Sequence, residues 1–285
     1  MILIISMENK FLNPYKSPPL NSRSLYLRKL IIRAFEGGMR GHLGSSMSLV
    51  EIMSALYDSF LSYNSNNPLW IKRDRFILSK GHGCLAQYAL LADKGFISLE
   101  DLDKFCHHNG ILGGHPEKSK IPGVEFSTGA LGHGLPVGVG MAIAAKINKQ
   151  KHKIIVVTGD GEINEGSVWE AALSASKNKV DNLIWMIDYN KFQSYGQTKN
   201  VVDLEPLNQK ITSFGFNLLE VDGHDINMIE KALNSFSYNS SIPNAIICHT
   251  VKGKGFSFAE HNENWHHKSN LKPEEINAMY ACLEK

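Results

Sequence analysis

The sequence predicts an α/β fold in which a mostly parallel sheet carries helices on both faces. Three observations predict it. The chain has 285 residues, 43% of them apolar, which is enough to bury a full core. Short runs rich in Ile and Val alternate with stretches of helical spacing along most of its length, the pattern of a sheet covered on both sides. The clearest unit is Ile154 to Val157, then a helical stretch from Ser167 to Ala175, then Leu183 to Ile187. A right-handed crossover makes such strands parallel and brings both carboxyl ends to one edge of the sheet.

Taken in order, residues 1–20 read as a flexible tail, and Met1 to Met7 is too short and lacks the basic start of a signal segment. Residues 21–285 then form one domain. Ser22 to Glu36 has one apolar face and should end at Gly37-Gly38, and Ser48 should cap a helix over residues 49–61. Arg75 to Ser79 reads as a strand running into Lys80-Gly81-His82-Gly83, with a helix over residues 84–92. Ser98 caps a short helix over residues 98–102. Residues 135–146 make a helix poor in bulk, suited to close packing inside the domain or at a subunit seam. Beyond the central unit come a helix at 205–214, a strand at 216–221, a helix opened by Asp225, a strand at 245–249, and a last helix from Pro273.

Composition removes several functions. A formal charge of +2 without a long basic block argues against nucleic acid as a partner. Four cysteines without a C-x-x-C pair read as reduced thiols, and no apolar run approaches a membrane span, so a cytoplasmic protein with no membrane partner is expected. His107, His108 and His115 do not have zinc-ligand spacing. The phosphate-loop and dinucleotide glycine motifs are absent.

The chemistry sits at the strand ends. Asp160 and Asn190 both emerge at the carboxyl edge, and a carboxylate with an amide oxygen suits Mg²⁺ or Ca²⁺ better than zinc. Gly159 and Gly161 let backbone approach an anion, and the helix that follows presents its N–H groups, so a metal-bound diphosphate is the implied ligand. Taken alone, Gly-Asp-Gly is also an ordinary tight turn.

Residues 159–166 together with Asp188-Tyr189-Asn190-Lys191-Phe192 resemble the thiamin diphosphate motif of the transketolase family, and further motifs follow in the family's order from Ser22 to Lys285. The resemblance implies a metal held by Asp160, Asn190 and the Phe192 carbonyl. It places His82, Gly129, Ala130, Leu131, Gly159, Gly161 and His266 around the cofactor. It assigns His42, His115 and His266 to substrate oxygens and protons, and Glu165 to a subunit interface. Ala130, His133 and His267 depart from the family pattern, which usually has Pro, Gln and Gly there. The resemblance covers only the diphosphate-binding half. It therefore implies a split transketolase, completed as a heterotetramer by a second chain with pyrimidine-binding and C-terminal domains, moving a two-carbon ketol unit between sugars or sugar phosphates. The alternatives are a related ketol- or acyl-transferring enzyme of specialised sugar metabolism and a non-catalytic module that binds the cofactor or scaffolds a partner.

Overall fold

The structure, a computed structural model, describes residues 13–194 and 196–284. Its centre is a five-stranded, wholly parallel sheet. The strands are β1 (Arg75–Leu78), β2 (Ile154–Gly159), β3 (Leu183–Tyr189), β4 (Asn217–Asp222) and β5 (Asn244–His249), in spatial order β1-β2-β3-β5-β4. The expected strand boundaries hold to within a residue or two. All residues of β2, β3 and β5 are buried because both faces are covered.

Alternate side chains feed two separate cores. Ile155, Val157, Ile184, Met186 and Ile246 face one core with helices α1 (Ser22–Gly38), α2 (Val50–Ala55), α3 (Cys84–Asp93), α7 (Ile226–Ser235) and α8 (Pro273–Cys282). Ile154, Val156, Trp185, Ile187 and Ile247 face the other with α4 (Gly134–Ile147), α5 (Gly166–Lys177) and α6 (Leu207–Ser213). The small residues of α4 serve internal packing on one side: Gly138 lies against the Val156 side chain, while Gly140 on the opposite side meets nothing within 4 Å.

Two helix ends differ from the expectation, each for a tertiary reason. Gly37 and Gly38 lie inside α1, which ends at Met39 with φ 50°. They are small because residues 103–105 press on them: a Cβ on Gly37 would stand 2.7 Å from the Asp103 carbonyl carbon. Nor does Ser48 cap a helix over 49–61. A short helix spans Leu43–Met47, α2 follows with no side-chain cap, and a π turn runs from Leu56 to Phe60. The Ser48 hydroxyl donates instead to Asp188 Oδ2 at 2.6 Å. Ser98 and Asp225 do cap their helices, Ser98 in a capping box with Asp101.

Residues 1–12 of the expected tail lie outside the described residues. Of the remainder, Tyr15 donates to the Glu220 carbonyl at 3.3 Å and Ser17 to Asp222 Oδ1 at 3.0 Å, which fastens this end of the tail to the edge strand β4. Among the described residues no helix is long and apolar enough to cross a membrane.

Candidate active site

The parallel register sets the site. Gly159 at the end of β2 lies beside Asp188 of β3, so Asp160 and Asn190 leave adjacent strands at the same edge, each about 2% exposed. Asp160 Oδ1 accepts the Gly161 N–H at 2.7 Å and Oδ2 accepts the Lys191 N–H. Asn190 Oδ1 accepts the Phe192 N–H at 3.1 Å, and its amide donates to Asp188 Oδ2 at 3.3 Å. Phe192 is held by pairing of Phe192–Gln193 with Gly196–Gln197. Asp160, Asn190 and Phe192 line one small cavity of about 70 Å³, together with Ser45, Lys80, His82, Leu131 and His266.

Two buried lysines serve this cavity, Lys80 in its lining and Lys252 through contacts to the lining residues Phe192 and His266. Lys80, leaving β1, pairs with Asp188, which also accepts from Ser48, Thr250 and Asn190. Burial alone would raise the Asp188 carboxyl, but Lys80 outweighs it and holds it low. Lys252, about 1% exposed, donates to the Phe192 carbonyl at 3.2 Å and to His266 Nδ1 at 2.6 Å. Burial lowers its ammonium to about 8, against the pull of Asp160. Asp160 itself is pushed up to about 6 by burial and then by Asp188. A further cation near its oxygens would reverse that cost.

Four loops far apart in sequence bring the histidines together. The His42 ring lies 5.4 Å from His82, 6.3 Å from His115, 5.3 Å from His266 and 4.6 Å from His267. Burial, followed by neighbouring His267, lowers His42 to about 3; burial and then Lys252 lower His266 to about 3. His82 is held well below its ordinary value by burial and Lys80, and burial lowers His115. Burial thus favours the neutral form of His42, His82, His115 and His266. The Lys252 ammonium on Nδ1 fixes His266 as the Nε2–H tautomer, so Nε2–H donates to Ser194 Oγ at 3.2 Å. Beside them opens a cleft of about 670 Å³ lined by His42, His115 and His267.

At three glycines in and near the small cavity the backbone has no room for a side chain. A Cβ on Gly161 would lie 2.8 Å from Gln193 Cγ, and one on Gly81 would lie 2.7 Å from the Gly129 nitrogen. Gly129 has φ +136° and its Cβ would meet the His115 ring at 3.0 Å. Gly159 differs, since a Cβ there would make only ordinary contact with Lys80 at 3.6 Å. Buried polar atoms are left over at the cavity: Ser45 Oγ and Gln193 Nε2 have no hydrogen-bond partner. An oxygen-only donor set, unpartnered polar atoms and glycine-lined backbone fit a cation with a bound polyanion.

Other expected residues stand further out. Ala130 and Glu165 are exposed, and exposed His133 turns its Nδ1 onto the Leu131 carbonyl at 2.8 Å. His107 bonds the Gly37 carbonyl at 2.9 Å.

The family description "Transketolase, thiamine diphosphate binding domain" matches residues 22–283. This chain belongs to the transketolase family. It is 45% identical over 241 residues, 85% of this chain and 87% of the relative, to an apulose-4-phosphate transketolase subunit from Actinobacillus succinogenes. It is 38% identical over 93% of itself and 96% of the 6-deoxy-6-sulfo-D-fructose transketolase subunit of a Clostridium species. Human transketolase is 34% identical over 90% of this chain, which covers only 41% of the human protein. The solved transketolase from Leishmania mexicana superposes with a TM-score of 0.85 at 33% identity, over 95% of this chain and 42% of that one. The sheet and the helices that cover it are therefore those of a transketolase thiamin diphosphate-binding domain.

Sequence reasoning overlooked Lys80, Asp188, Lys252 and Glu162 as site residues. Glu162 is buried and accepts from Ser79, from the Gly132 N–H at 3.0 Å and from the Gly159 N–H at 3.1 Å, tying the 129–134 loop to the end of β2. Lys80, Glu162 and Asp188 lie within the motifs at 80–83, 159–166 and 188–192, and Lys252 just beyond the strand at 245–249. A buried Lys or Asp there gives no signal until its partner is brought in by folding.

Proposed function

We propose that this chain is the diphosphate-holding subunit of a two-chain transketolase that moves a two-carbon ketol unit from a ketose or ketose phosphate to an aldose. A second subunit with pyrimidine-binding and C-terminal domains completes the site in an α2β2 heterotetramer, and Glu165, exposed at the foot of α5, belongs to the contact between subunits. Relatives that bear the name of transketolase subunits and match over most of their length support this reading. The observation that carries it is the pocket formed by Asp160, Asn190 and the Phe192 carbonyl with Lys80 and Lys252 behind it. The carboxylate, amide and carbonyl oxygens would hold Mg²⁺ or Ca²⁺, and the lysines and His82 would face diphosphate oxygens. Gly129, Ala130, Leu131, Gly159 and Gly161 would line the remainder. Thiamin diphosphate supplies the nucleophilic carbon and the electron sink.

The chain's own residues would handle protons and orientation. His42, His115 and His266 are neutral and so can accept or donate at sugar hydroxyls near pH 7. Lys252 keeps His266 in one tautomer with an N–H pointing toward Ser194. Four cysteines without a disulfide fit the reducing cytoplasm. The test is a ketol-transfer assay on this chain, on its partner and on the mixture. Activity only in the mixture is expected; full activity from this chain alone would refute the split arrangement.

A further inference from the structure

The wall of the 670 Å³ cleft contains a charge that the proposed roles leave unused. Besides the imidazoles, its lining includes Arg40, Glu117 and Lys120. Glu117 is taken by Lys120 at 2.9 Å. Arg40 is exposed and has no hydrogen-bond or ion-pair partner among the described residues. Its field acts on the same wall: burial raises the Cys106 thiol, and Arg40 opposes that rise. Nor is its backbone free. Arg40–Gly41 pairs antiparallel with Lys268–Ser269, which ties Arg40 to the segment just after His267 and sets it two positions before His42.

An unpaired guanidinium in a wall that also holds His42 and His115 gives the cleft a fixed positive charge as well as hydroxyl-binding groups. The planar fork matches two oxygens of a tetrahedral oxyanion, whereas an uncharged polyol offers it no comparable contact. We propose that Arg40 is a specificity-determining residue, which receives the phosphate or similar oxyanion at the far end of a sugar whose reacting end lies near His42. This rests on the ketol-transfer reading and deepens it, because a contact to substrate charge then comes from the diphosphate-holding subunit itself.

The test uses the assembled, cofactor-loaded pair and two acceptors, an aldose 5-phosphate and the same aldose without phosphate. Arg40→Ala is expected to lower the ratio of kcat/KM values, phosphorylated over free, by roughly tenfold or more. Arg40→Lys should recover part of it, since charge remains and the fork is lost. Equilibrium binding of the same two aldoses reads the contact without turnover, so it decides the role of Arg40 even if the pair transfers no ketol unit. A preference for the phosphorylated sugar that stays within about twofold of wild type in both measurements overturns the assignment.

Discussion

Two of the buried polar clusters among the described residues are built on opposite plans. At Arg28, Glu51 and His224 the charges and ring nitrogens all have partners. Glu51 binds Arg28 at 2.6 Å and His224 Nδ1 at 2.8 Å, the guanidinium also reaches the carbonyls of Ser24, Met47 and Lys254, and His224 Nε2 accepts the Val251 N–H at 2.8 Å. Burial alone would raise the Glu51 carboxyl, but Arg28 and His224 outweigh it and hold it far below the carboxylate range. At the strand ends the plan is reversed. Asp160 is pushed up, burial favours the neutral form of His42, His82, His115 and His266, and Ser45 Oγ and Gln193 Nε2 find no partner. Unsatisfied buried polar groups are costly, so an open cluster marks a place for a ligand and a closed one a structural tie. The two are joined: Val251 and Lys254, both gripped by the closed cluster, flank Lys252 of the open one.

The contrast is sharpest in stability. Glu51→Ala leaves a buried guanidinium uncompensated and should cost about 3–5 kcal/mol in chemical unfolding. A loss below about 1 kcal/mol would mean that the closed cluster is no tie. Acid separates the clusters next. Imidazoles lowered in the folded state contribute stability that is complete above about pH 6.5 and is lost as pH falls, because the unfolded chain then binds protons the folded chain refuses. His42, His82 and His266 act in this direction and outnumber Asp160 and Glu162, whose raised carboxyls act in the opposite one. Unfolding free energy should therefore fall between about pH 6.5 and 4.5, each imidazole adding up to about 1.4 kcal/mol per pH unit. Replacing both His42 and His266 with Asn should flatten that slope. Ser48→Ala removes one of four donors to Asp188 and should cost only about 1 kcal/mol. Smallest of all, Asp160→Asn should unfold within about 1 kcal/mol of wild type, since relief of a carboxylate disfavoured by burial and by Asp188 is offset by the loss of one accepted N–H, the amide having a single oxygen for the donors of Gly161 and Lys191.

How much could be read in advance follows the same division. Strands β2 and β3 were legible because a doubly covered sheet demands unbroken apolar runs, and Asp160 and Asn190 because strand ends fix where a side chain emerges. The gathering of His42, His82, His115 and His266 was legible through family resemblance; no spacing rule joins four distant loops. Gly37-Gly38 and Ser48 misled because their reasons lie in tertiary neighbours, Asp103 with Phe105 and Asp188. Lys80 escaped notice because its partner Asp188 is 108 residues away. His267 reads in the sequence only as a departure from the family pattern, yet it lies nearest to the His42 ring of the four neighbouring imidazoles.

The most direct measurement is a calorimetric titration of thiamin diphosphate with Mg²⁺ into the assembled pair, wild type against Asp160→Asn combined with Asn190→Ala. The expected result is saturable binding to wild type and a loss in the variant exceeding the roughly 10- to 100-fold that follows removal of a mere supporting contact, with the variant still folded. Binding of unchanged tightness by the variant would contradict a cofactor held through these strand ends.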